Sequence, residues 1–270
     1  QVLALPPEFI VPQDGHEKQD CERTAVKRWL AQHHLHFTED KITYLGDDLY
    51  ANQPLCQLIT ETYHQSFIFV CKPDSHTSLY EWVSVLDQNG GVEMLSQRHW
   101  NGKHGEIWHY RFVHQVPLRN GNDAMLVNWC ELVITHETTG NILYRNAFVT
   151  NHPIALENVT LIVQAGRTRW KIENENNNTL KTKGYHLEHN FGHGKQHLSN
   201  VLISLNLLAF LVHTVQEMID PAYQILRQAL GARKTFFNDL RALTRYIVFD
   251  DWDALFRFMA DGLEISLSPP

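Results

Sequence analysis

Apolar positions recur along this chain with two different periods, and the change from one to the other organises it. In ERTAVKRWLAQHH, Ala25, Val26, Trp29 and Leu30 recur at helical spacing, which predicts a helix. KITYLGDDLY places Ile42, Tyr44 and Leu45 on a short strand, with Asp47 and Asp48 where it ends. ANQPLCQLITETYH then predicts a helix with Pro54 near its first turn, where an absent amide hydrogen costs little. SFIFVCK, residues 66 to 72, predicts the next buried strand. A strand, a helix and a strand on short links are the signature of a parallel sheet, so the fold class is α/β.

From about Ser75 to Phe148 the period shortens. EIWHYRFVHQVPL, AMLVNWCELVITHE and NILYRNAFVT alternate as strands do, and Asn120-Gly121 and Thr139-Gly140 are suitable hairpin links, so an antiparallel insertion is expected. IALENVTLIVQAGRTRWKIENENNNTLK then begins a long helix that stops near Thr182 to Gly184. An apolar helix near 198 to 219 follows, then a break at Pro221 and helices at roughly 221 to 230, 235 to 247 and 251 to 260. The longest apolar run, Val201 to Val215, contains Ser204, Asn206 and His213 and falls short of the roughly 20 residues that cross a bilayer. It reads as a buried helix, and no membrane partner is expected.

Composition narrows the function classes. The 270 residues suffice for a substantial core without staples. Cys21, Cys56, Cys71 and Cys130 lie far apart with no CxxC pair, against a disulfide scaffold or a zinc finger and in favour of a reducing compartment. No basic segment, apolar stretch and cleavage site are visible after Gln1. A net charge of -7 is poor support for nonspecific DNA binding as the main task. Residues 163 to 197 nevertheless hold six Lys or Arg against three Glu, a local excess of three positive charges compatible with nucleic acid.

Within that strip and just after the first buried strand stand the candidate acids. Asp47 occupies a strand end, where a rigid sheet holds a carboxylate at the solvent edge. Glu173 comes on a helix more than a hundred residues later. Carboxylates brought together by a fold can hold paired magnesium ions for in-line phosphoryl displacement. Taken alone, GDD reads equally as a turn or cap, and Glu173 as an i,i+4 partner of Arg169. Arg169 could instead steer phosphate, and Lys181 reaches the glutamate's groove from its flank. Asn174, Asn176, Asn177 and Asn178 are poor in a helix interior; they suit phosphate or base contacts, a local distortion or a solvated face. His186, His189, His193 and His197 have zinc-like spacings, but Gly192 and Gly194 interrupt a helix there and no HExxH pattern is present. Trp29 and Trp170 read as core. No phosphate loop, dinucleotide loop or GxSxG elbow is present.

Taken together, PPEFIVPQDGHEKQDCERTAVKRWL, YLGDDLYANQPLC and GRTRWKIENENNNTLKTKGYHLEHNFGHGKQHLSN, in that order, resemble the IS4-like group of bacterial insertion-sequence transposases. The resemblance spans essentially the whole chain. It implies a ribonuclease-H-like catalytic core with an Asp, Asp, Glu site, a β-rich insertion and a helical C-terminal region. The implied organisation is a partial core at 1–74, the insertion at 75–150, the glutamate helix and completion of the core at 151–220, and C-terminal helices at 221–270. By resemblance Asp47, with Asp48 as its rival, is the second catalytic aspartate and Glu173 the glutamate, both holding Mg2+ or, in its place, Mn2+. Arg169, Lys181, His193 and Lys195 are the implied nucleic-acid contacts. Double-stranded DNA with terminal inverted repeats is the implied partner, a homodimer forms in the DNA complex, and the location is cytoplasmic and nucleoid-associated. Two departures stand out: Gly166 replaces the tyrosine expected three residues before the arginine, and seven residues rather than six separate Glu173 from Lys181. The first aspartate belongs on an opening strand, and neither Asp14 nor Asp20 is so placed. The expectation is the C-terminal catalytic portion of a transposase that is an enzyme when intact; the alternatives are a noncatalytic DNA-binding or assembly remnant and a stand-alone metal nuclease.

Overall fold

A computed structural model describes residues 2–10, 20–37, 41–190, 192 and 194–267. Packing divides the chain into two compact units, Ile10–Arg169 and Gln1–Phe9 with Trp170–Pro270. The first is built on a sheet, the second on helices.

The sheet unit opens with helix α1, Glu22–His33, and strand β1, Thr43–Gly46. Helix α2, Gln53–Gln57, starts at Asn52, whose side chain accepts a hydrogen bond from the Leu55 amide at 3.2 Å, with Pro54 in the first turn; it widens into a π turn over Leu58–Thr62. Strand β2, Ser66–Val70, returns parallel to β1, with Thr43 opposite Ser66 and Gly46 opposite Phe69. The parallel pair expected from the strand, helix, strand pattern is therefore present.

Helix α3, Thr77–Gln88, follows, although this stretch lies within the span expected to be β-rich. Leu79 and Val83 are buried one helical turn apart, a period the dominant strand signal further on obscured. Four strands then form an antiparallel meander: β3 Glu93–Trp100, β4 Gly105–Pro117, β5 Leu126–His136 and β6 Ile142–Thr150. They join the parallel pair in one six-stranded sheet of order β1-β2-β6-β5-β4-β3, with β6 antiparallel to β2. Helix α4, Val159–Arg167, completes the unit.

Alternation along β2 explains the layering. Phe67 and Phe69 point into a core shared with Leu30, Leu55, Ile59 and Leu79 from α1 to α3. Ile68 and Val70 point into the opposite core, which α4 covers with Val159, Ile162 and Val163. A strand buried on both faces must be apolar throughout, as SFIFV is. The unit is thus a mixed α/β structure with helices on both faces of the sheet.

The long helix expected from residue 154 onward is interrupted. α4 ends at Arg167, a turn occupies Thr168 and Arg169, and the helical unit begins at Trp170. Ile172–Asn177 forms a wide π segment, followed by α5, Asn178–Thr182. The asparagine run therefore marks a helix distortion. Trp170, expected in the core, is 48% exposed.

Four further helices complete this unit: α6 Leu198–Ile219, α7 Pro221–Leu230, α8 Arg233–Tyr246 and α9 Trp252–Gly262. The boundaries are chemically marked. Asp220 caps α7 through the Tyr223 amide at 3.1 Å, and Asp251 caps α9 through the Ala254 amide at 2.7 Å. The core is aromatic, with Tyr185, Phe210, Tyr223, Phe236, Phe237 and Phe256 among its buried members. α6 departs from expectation: only Phe210 and Thr214 are buried, so it is not an interior helix.

Candidate functional site

Asp47 follows directly on β1, at the carboxyl end of a parallel strand, which is where sheets of this type place ligand-binding groups. Gly46 makes that position possible. A Cβ there would meet Tyr50 Cδ2 at 2.7 Å and Phe69 Cδ1 at 2.9 Å, so only glycine lets the turn lie down on these rings. The Asp47 side chain is exposed, and its Oδ1 accepts a hydrogen bond from the Leu49 amide at 2.9 Å. One carboxylate oxygen is thereby held by the turn backbone.

Asp48 is used differently. Its Oδ1 accepts from the Lys72 amide at 2.6 Å, and its Oδ2 from the Ser75 hydroxyl. His76 Nε2 approaches Oδ1 at 3.5 Å. Asp48 therefore ties the loop after β1 to the loop after β2. The two aspartates differ in setting: Asp47 is exposed with one backbone partner, whereas Asp48 bridges two loops. A concave space of about 290 Å3, lined in part by Asn52, Ser75, His76 and Arg119, lies on this side of the sheet. A larger one of about 690 Å3, lined in part by His34, Lys41, Thr43, His64 and His152, lies where β1 and β2 begin. Burial lowers the pKa of His152, which hydrogen-bonds the Thr43 hydroxyl at 2.9 Å.

Sequence reasoning missed Glu22 and Tyr50. The Tyr50 hydroxyl donates to the Glu22 carboxylate, and burial, then Glu22 and Asp47, push the phenol's pKa up. A second acid thus sits behind the same tyrosine that supports Gly46. No spacing rule connects residues 22 and 50, so no sequence signal was available for this contact.

Arg169 is half-buried in the turn after α4, its amide donating to the Gly166 carbonyl at 3.4 Å. Its neighbour Arg167 is fixed between rings, its guanidinium carbon 4.8 Å from the Trp108 centre and 4.7 Å from that of Tyr144. Glu173 is exposed in the π segment of the helical unit. There Lys171 pairs with Glu175 at 3.6 Å, and Lys181 with Glu188 at 3.2 Å. Lys195 is exposed in a turn before α6, and His193 lies outside the described residues. Among the described residues of either unit, no group of three or more His, Cys, Asp or Glu side chains is gathered as a metal site. His186 has a φ of 57° and His197 stands at the N-terminal boundary of α6 without a side-chain capping bond, so His186 and His197 do not share a helix.

Comparison with family models finds no match, and comparison with curated proteins finds none either.

Proposed function

We propose that this chain is the glutamate-bearing catalytic part of an Asp, Asp, Glu transposase, similar to IS4-like insertion-sequence enzymes, that cleaves and joins DNA at terminal inverted repeats. The observation that supports this reading most is the exposed Asp47 carboxylate at the carboxyl end of a parallel strand. The β1–α2–β2 crossover is also what a ribonuclease-H-like core requires. Among the described residues β1 is an edge strand, so its unpaired side can receive the opening strand of such a core, carrying the first aspartate.

Asp47 and Glu173 are hard oxygen donors of the kind magnesium takes, with manganese as a substitute. Ions held by these acids would supply activation of the attacking oxygen and stabilisation of the leaving oxygen. Gly46 and the Leu49 amide hold Asp47 in place beforehand, so little ordering remains when the site fills. Lys181 reaches phosphate by leaving Glu188, an exposed pair worth no more than about 1 kcal/mol. Arg169 offers a planar, bidentate guanidinium to the same backbone, with His193 and Lys195 contacting DNA nearby. Two transposon ends held together call for a homodimer in the complex, acting at the nucleoid in the cytoplasm.

The test uses the natural protein containing this chain, with magnesium and DNA bearing paired inverted repeats. Glu173→Gln and Asp47→Asn each lower cleavage at least about 1,000-fold while DNA binding stays nearly unchanged. Cleavage retained in either variant removes that acid from the site. Cleavage without joined target product identifies a metal nuclease, and binding without cleavage in the unsubstituted protein identifies a noncatalytic remnant.

A further inference from the structure

α6 carries two apolar stripes. One, marked by buried Phe210 and Thr214, packs in the core of the helical unit. The other consists of Leu198, Val201, Leu205, Leu208, Val212, Val215 and Ile219, each between 37% and 72% exposed. Successive members are three and four residues apart in strict alternation. On an ideal helix they fall within a sector of about 100 degrees, roughly opposite Phe210 and Thr214. A mean spacing of 3.5 residues is the repeat by which two helices supercoil around each other. A helix covered by its own core on one side has no use for a second stripe of that period unless another helix meets it.

The structure points to the partner. α6 has 22 residues, and no other helix among the described residues exceeds the 14 of α8. A partner of equal length and repeat is therefore another α6. The positions flanking the stripe are Leu202, Ser204, Ala209, Leu211, Gln216 and Met218, none of them charged. Two identical copies would meet without the like-charge repulsion that flanking charges use to reject self-pairing. The exposed fractions correspond to roughly 600 Å2 of surface per copy, so pairing would cover at most about 1,200 Å2, comparable with the roughly 1,000 Å2 expected of a specific interface.

We propose that this face of α6 is a self-association surface, closing a two-fold dimer by coiled-coil packing against α6 of a second copy of this chain. The inference rests on α6 alone and stands or falls separately from the transposase reading. Light scattering of the full chain, whose monomer is 31.4 kDa, should give twice that mass. Leu208→Glu combined with Val212→Glu should raise the dimer dissociation constant at least about 100-fold with the far-ultraviolet circular dichroism unchanged. Leu208 lies at the midpoint of the helix, where parallel and antiparallel pairing both bring its two copies together. In a Cys21→Ser background, Leu208→Cys should therefore give a covalent dimer on mild oxidation that the Cys21→Ser chain alone does not give, a readout independent of how well the glutamate variant folds. A monomer at about 100 µM, or a dimer indifferent to both substitutions, overturns the proposal. So does a monomer that sediments with phosphatidylcholine vesicles and loses this on the glutamate substitutions, since the stripe would then contact lipid, an option its length and composition also permit.

Discussion

The two units use apolar residues in opposite ways. In the sheet unit, β2 sends Phe67 and Phe69 to one core and Ile68 and Val70 to the other, and helices of the same unit cover both. A one-residue slip would exchange the faces, and since both are packed against specific partners the register is firmly set. In the helical unit, α6 commits Phe210 and Thr214 to the core and leaves an equally apolar stripe exposed. The amount of hydrophobicity is comparable; what differs is whether geometry dictates the partner. A strand in the middle of a sheet has two faces and both must be covered by its own layers, whereas a helix that is apolar most of the way round does not declare which stripe its own core takes.

The largest expected effect breaks the sheet side of this contrast. At Gly166 on α4 a Cβ would lie 2.8 Å from Phe148 Cδ1 and 3.0 Å from Ile68 Cγ2, with no flexible side-chain end to move aside. The helix here rests directly on β2 and β6. Gly166→Tyr should cost well over 3 kcal/mol and unfold the sheet unit, while Gly166→Ala should cost about 1–2 kcal/mol, because the gain in helix propensity is smaller than the strain of overpacking. Urea denaturation followed by tryptophan fluorescence measures both. A tyrosine tolerated at full stability would show that α4 can lift off the sheet, and that the sheet layers are less tightly specified than the α6 face.

How much of this was readable beforehand depended on how local the cause was. The β1–α2–β2 order, the hairpins at Asn120-Gly121 and Thr139-Gly140, and the helices after Pro221 were legible, because alternation, turn residues and caps act within a few positions. α3 was overlooked because its buried stripe is narrow and Trp82 and Val85 on its outer side are exposed apolar residues that blur the period. The break after α4 was not foreseen either, since Thr168 and Arg169 carry no strong stop signal. Within the candidate site, the address of Asp47 was legible from the strand before it. The difference between Asp47 and Asp48 was not, because it depends on Lys72 and Ser75, brought close only by the parallel return of β2. The link from Glu22 to Tyr50 was equally nonlocal.

That difference gives a middle-sized prediction, and it separates a residue that holds the fold from one presented to a partner. Asp48→Ala removes acceptors from the Lys72 amide and the Ser75 hydroxyl and should destabilise the sheet unit by about 2–3 kcal/mol. Asp47→Ala removes a single exposed turn contact and should cost no more than about 1 kcal/mol. Equal losses in urea denaturation would show that both aspartates are structural, which would weaken Asp47 as a ligand for any cation.

The smallest effect sharpens the comparison from the helical side, where the core contains a titrating group. His213 on α6 accepts or donates at 3.0 Å to the Tyr185 hydroxyl, and Arg233 reaches that hydroxyl at 3.4 Å while pairing with Glu217 at 2.6 Å. Burial, with the charges of Arg233 and Arg227 adding to it, lowers His213 from 6.5 to about 4. The folded unit thus keeps the imidazole neutral where the unfolded chain takes up a proton. By linkage its contribution to stability is complete above pH 6.5, declines as the pH falls through the interval down to about 4, and changes no further below it. Allowing for partial solvent screening, the loss should be on the order of 1–2 kcal/mol. His213→Gln should remove that part of the acid sensitivity, so the difference in urea midpoint between pH 7 and pH 4.5 should shrink relative to the unsubstituted chain. In the sheet unit burial pushes Cys56 and Cys130 up to about 12, so they stay neutral throughout this range, and His152, also lowered by burial, is the comparable group there. An unchanged pH dependence in His213→Gln would mean that the imidazole is protonated in the folded unit, with the Arg233 and Glu217 pair arranged around a charge instead of a neutral ring.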